Sequence, residues 1–82
     1  MIGLTDKAAA VAAAQDWRAA NGYTGRGGVV TWYLGIIQGW SNALRDPDHW
    51  EPGVIAVDEA GAAWVAEGGN SKNGAERWQA LA

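Results

Sequence analysis

Along residues 8–20 the apolar positions recur with the period of a helix: Ala10, Ala13, Ala14 and Trp17 share one face at three- and four-residue spacing. Thr5 is the expected N-cap, Asp6 sits at the positive end of the helix dipole, and Asn21-Gly22 supplies the stop. Most of this face is alanine, so a neighbouring element can come close. Residues 29–45 open on Val-Val-Thr-Trp-Tyr, a strand-like run. However, Thr31, Gly35, Gln38, Asn42 and Arg45 recur at spacings of 4, 3, 4 and 3, with Val29, Tyr33, Ile36, Ile37, Trp40 and Leu44 on the opposite arc. That pattern predicts a second amphipathic helix, with Leu34 a single exposed leucine on its polar side. Gly35, Gly39 and Ala43 then form a ridge of small residues set against the alanine face of the first helix.

Asp46-Pro47 ends this element and also suits an N-cap with proline opening a short turn. Residues 54–57 (Val-Ile-Ala-Val) read as a strand, residues 58–61 as a hairpin loop with Gly61 left-handed, and residues 62–67 as the return strand. In the tail, Asn73 and Glu76 have the spacing of a capping box for a short helix bearing Trp78 and Leu81. The alternative is a third strand over residues 76–80 with Trp78 facing in. The expected architecture is a single α+β domain over residues 1–82: two antiparallel helices packed on an antiparallel β-hairpin or a small three-stranded sheet.

Composition changes this picture in one respect. The chain of 82 residues is 49% apolar, but 17 of those residues are alanine. Six tryptophans and no phenylalanine must fill much of the interior. The absence of cysteine excludes a disulfide framework and any thiolate zinc site. No basic n-region precedes an apolar stretch at the start, and the uncharged residues 27–44 are interrupted by Thr31, Gln38, Ser41 and Asn42. A cytoplasmic protein is expected.

The net charge of −3 argues against a general binder of nucleic-acid phosphates. Its distribution says more. Residues 1–45 carry a net +2 and residues 46–82 a net −5, with six acids and no base between Asp46 and Glu67. Asp46-Pro47-Asp48-His49-Trp50-Glu51 is the densest cluster of functional groups. A divalent metal at Asp46, Asp48 and His49 is a minor reading, because adjacent residues in a turn point in different directions. Gly22-Tyr23-Thr24-Gly25-Arg26-Gly27-Gly28 precedes an element and carries one arginine, in the manner of an anion-binding loop. It matches neither the Walker A nor the dinucleotide spacing, and reads as a flexible connection. No serine lies in a nucleophile elbow. The expectation is therefore no enzyme, no metal and no cofactor.

Trp50, between His49 and Glu51, is the candidate binding anchor, since tryptophan is over-represented among interface hot spots. Asp46, Asp48, Glu51, Asp58, Glu59 and Glu67 complete an acidic face offered to a basic partner. A compact, cysteine-free, mildly acidic domain without catalytic apparatus resembles, in size and character, the small phage-encoded anti-CRISPR and anti-defence proteins. The resemblance implies direct binding to a bacterial defence protein or CRISPR effector subunit with a basic surface. It implies inhibition by occlusion within the host cytoplasm, with no direct contact to nucleic acid or membrane. The alternative is a homo-oligomeric accessory or structural phage protein, a homodimer joined through the Gly35/Gly39/Ala43 ridge.

Overall fold

The computed structural model describes residues 4–81. One helix, α1 (Leu4–Asn21), is followed by five strands: β1 (Val29–Tyr33), β2 (Ile36–Ser41), β3 (Ile55–Asp58), β4 (Ala63–Glu67) and β5 (Arg77–Leu81). They form one antiparallel sheet in the order β2-β1-β3-β4-β5. The class is α+β, but the expected two helices on a hairpin or three-stranded sheet are not what forms. The first helix is present, with Ala10 and Ala14 fully buried and Ala13 and Trp17 packed beside them. It starts at Leu4, so Thr5 lies inside its first turn rather than at a cap.

The second helix does not exist; residues 29–41 are the β1–β2 hairpin. β-Branched and aromatic residues favour the pleated form over residues 29–33 and 36–37. Leu34 and Gly35 both have positive φ, 49° and 89°, which is the arrangement of a two-residue type I′ turn and is incompatible with a right-handed helix. The Gly35/Gly39/Ala43 ridge therefore never forms. Gly35 is in the turn, Gly39 pairs with Thr31 in the sheet, and Ala43 is exposed beyond the strand. The homodimer seam drawn on that ridge goes with it.

The tail is the strand alternative rather than the helix. β5 pairs with β4 along its length, setting Trp78 opposite Ala66. No capping box closes at Asn73. Instead the Asn70 carboxamide oxygen accepts the amides of Lys72 and Asn73 at 3.0 and 2.8 Å and organises the connecting turn. The β3–β4 hairpin lies where the sequence places it, with Gly61 at φ 91°.

Alternation sends Val30, Trp32, Ile55, Val57, Ala63 and Val65 to the face under α1, where they form the main core with Ala10 and Ala14. Val30, Ile55 and Val57 are fully buried, worth about 1.5–3 kcal/mol each on transfer from water. The alanine face of α1 lets the helix lie close over β1, β2 and β3. A second, smaller core of Val54, Ala66 and Ala75, with Tyr33, Trp50 and Trp78, occupies the other face. It is closed by residues 42–54. Val29 pairs with Ser41 and Trp32 with Ile55, so this segment must run the length of the strands to reach β3. It crosses opposite α1, where the Trp78 indole donates to the Arg45 carbonyl at 3.2 Å and Ala75 N donates to the Trp50 carbonyl at 2.9 Å. A single 3-10 turn, Pro47–His49, interrupts it, with Asp46 ahead of the proline but making no side-chain cap.

Candidate functional site

The charged residues gather at the two ends of β3. At the Asp58 end, the last turn of α1, residues 22–28 and the β3–β4 tip meet around Arg18, which is only 3% exposed. Its guanidinium donates to the carbonyls of Tyr23, Gly27 and Gly28 at 3.3, 2.8 and 3.0 Å. A cation here also complements the negative end of the helix. Its Nε–H finds no acceptor among the described residues. Outside the loop, Glu59 accepts the Gly27 amide at 2.8 Å and the Gly25 amide through its other oxygen, and lies 3.6 Å from Arg18. Those two amides hold the Glu59 carboxyl below the ordinary glutamate range, and Arg18 adds to the effect. The loop is tight here: Gly28 lies so close to the Ser41 carbonyl oxygen that a Cβ would collide with it. Trp17, Tyr23 and Trp40 pack beside it with tilted rings, centres 4.7 and 5.2 Å apart, and the Trp40 indole donates to the Gly27 carbonyl at 2.9 Å. Asp58 caps its own turn by accepting the Ala62 amide at 2.9 Å.

The other end of β3 is built differently. Leu34 and Ile36 are 77% and 65% exposed at the β1–β2 tip. Ile36 pairs with Tyr33, so both side chains emerge on the face away from α1. The Tyr33 hydroxyl donates to the Glu51 carboxylate, which raises the phenol above its ordinary value. That bond ties the apolar tip to the acidic turn. Asp46 and Asp48 are exposed on the preceding 3-10 turn, which packs against β5 at the far edge of the sheet; Asp46 has Arg45 at 3.7 Å, itself exposed, and Asp48 has no side-chain partner among the described residues.

The predicted acidic face is thus divided. Asp46, Asp48, Trp50, Glu51 and Glu67 lie towards one end of β3, and Asp58 and Glu59 lie at the other. Trp50 is half-buried against Val54, Ala66 and Ala75 and serves the second core. Glu67 faces Arg77 at 3.4 Å across β4 and β5. It borders an open groove of about 510 Å³ whose walls include Val65, Gln79 and Leu81. Among the described residues no group of three or more His, Cys, Asp or Glu stands ready for a metal ion. Among them, too, no helix is long and apolar enough to cross a membrane.

Sequence reasoning missed two features. It passed over Leu34 as an isolated exposed leucine, and it missed that residues 22–28 do bind an anion, one supplied by this same chain 32 to 34 residues later. The signal for the first was Leu-Gly between two β-branched runs. For the second there was only the glycine loop itself. No family model, curated protein or solved structure matches the chain, so the functional reading rests on these residues.

Proposed function

We propose that this chain is a non-enzymatic protein-binding module that docks through the β1–β2 tip, with Leu34 and Ile36 as apolar anchors and Asp46, Asp48 and Glu51 as an acidic rim. The observation that carries this reading is Leu34. A leucine in the left-handed region is unfavourable where asparagine or glycine would relax the turn. At 77% exposure it is equally out of place in water. A residue that satisfies neither the backbone nor the solvent is the kind retained for contact with something else. Glu51, joined to the tip through Tyr33, and the exposed Asp46 and Asp48 on the turn that packs against β5 favour a partner with basic groups around an apolar pocket, and they speed encounter while rejecting acidic surfaces. Basic surfaces of that kind occur on nucleic-acid-handling proteins. With the resemblance in size and character to anti-CRISPR proteins, the reading extends to a phage or mobile-element inhibitor that occludes a bacterial defence complex in the cytoplasm.

The test is affinity capture from bacterial lysate at low and moderate salt, using the wild type, Leu34→Asn with Ile36→Asn, and Asp46→Lys with Asp48→Lys and Glu51→Lys. The wild type is expected to recover a basic partner whose yield falls with salt. Loss of that partner with the tip variant, and weaker recovery with the reversed one, supports the reading. Equal recovery by all three proteins removes it.

A further inference from the structure

We propose that residues 22–28 form an oxyanion receptor, and that Glu59 is its tethered ligand in the free chain, replaceable by a small carboxylate or by phosphate. The inference concerns the opposite end of β3 from the docking tip and does not depend on that reading. Three observations carry it. First, the amides of Gly25 and Gly27 each take a different oxygen of one carboxylate, as a receptor with two convergent donors does. Second, the positive charge behind them is fixed: Arg18 is 3% exposed and held by three loop carbonyls. Its guanidinium stands 3.6 Å from the bound oxygen and keeps one N–H without an acceptor among the described residues. Third, the mouth is open. A Cβ on Gly25 or Gly27 would meet nothing within 4 Å, and the Glu59 side chain is 31% exposed. Arg26, its guanidinium 5.2 Å from the Tyr23 ring centre, adds a second cation on the solvent side.

The β3–β4 turn does not need Glu59 to close. Asp58 N donates to the Ala62 carbonyl, Gly61 N to the Asp58 carbonyl, and Ala62 N to the Asp58 carboxylate. Removing the Glu59 carboxylate therefore leaves both the turn and the receptor in place. In the wild type a free anion must displace a tethered one, whose effective concentration is on the order of millimolar or higher. A carboxylate or phosphate presented by a bound partner competes on equal terms and releases the β3–β4 tip.

The experiment titrates wild type and Glu59→Ala with sodium acetate and, separately, with inorganic phosphate at matched sodium chloride. The readouts are the amide resonances of Gly25 and Gly27 and the melting temperature. In Glu59→Ala both resonances should move saturably, and part of the melting temperature lost to the mutation should return. In the wild type the same concentrations should leave both nearly unmoved. If Glu59→Ala does not fold, Glu59→Gln, which keeps one acceptor oxygen and loses the charge, takes its place. Shifts equal to those in chloride alone, or equal in wild type and variant, overturn the proposal. Acetate without phosphate, or phosphate without acetate, upholds the receptor and names which oxyanion fits.

Discussion

The two ends of β3 carry acids from the same acidic half of the chain and use them in opposite ways. At the Asp58 end the carboxylates are consumed internally: Asp58 by the Ala62 amide, Glu59 by two loop amides and a buried arginine. At the Ile55 end Asp46 and Asp48 remain exposed, and the exposed Glu51 accepts the Tyr33 hydroxyl next to the apolar tip. The difference lies in the backbone donors within reach. A glycine loop offers unpaired amides to any nearby acid, whereas the turn at Pro47–His49 presents its side chains to solvent. A count of acids along a chain therefore does not define an acidic face.

The largest test of this contrast removes a cation from each end. Arg18→Met leaves three loop carbonyls and Glu59 without their partner in a buried setting, and should cost about 3–5 kcal/mol in urea unfolding. Arg45→Met removes an exposed arginine 3.7 Å from an exposed aspartate, and should change stability by less than about 0.5 kcal/mol. Comparable losses at the two positions would mean that the ends do not differ as described.

Acid and base sharpen the same comparison. The folded Glu59 carboxyl titrates below its ordinary value, so its contribution is fully present at neutral pH. It is lost as pH falls from the unfolded value, about 4.3, through the lowered folded one. Tyr33 runs the other way. Its phenol is raised, so the bond to Glu51 contributes below the unfolded value, about 10, and is lost as pH rises through the folded one. Urea midpoints measured across pH should show Glu59→Gln flattening only the acid limb and Tyr33→Phe only the alkaline limb. A change on the wrong limb for either variant would show that its partner has been misassigned.

What could be read from the sequence follows from where pattern survives folding. α1 and the β3–β4 hairpin were legible because one has an alanine face against one face of the sheet and the other has an Asp58-to-Gly61 turn with the usual chemistry. The β1–β2 hairpin was not, for two physical reasons. Val29 to Trp32 are buried on both faces of the sheet, so β1 loses the alternation that marks a half-exposed strand. In β2 the register shifts between Gly39 and Ile37, leaving Gln38 as the bulged residue and moving the alternation out of phase. What remained of residues 29–45 happened to satisfy a helical period. The acidic turn was visible as a cluster of functional groups, but its apolar neighbour was hidden with the hairpin. The Glu59 contacts depend on two segments meeting across the sheet, which no local pattern records.

A small effect at Leu34 is the most discriminating. Leu34→Asn keeps the two-residue turn and substitutes a residue that enters the left-handed region at lower cost, so it should raise stability by about 0.5–1 kcal/mol in urea unfolding. If the tip is a docking anchor, the same change should weaken partner capture, because the exposed apolar side chain is gone. Stability and binding then move in opposite directions at one position. A purely structural leucine gives no such opposition: its replacement changes stability and leaves capture untouched. The outward end is thereby separated from the inward one. At Arg18 and Glu59 the groups hold the fold together, and their loss should lower stability. At Leu34 the fold gives up a little stability, and contact with a partner is what that concession would serve.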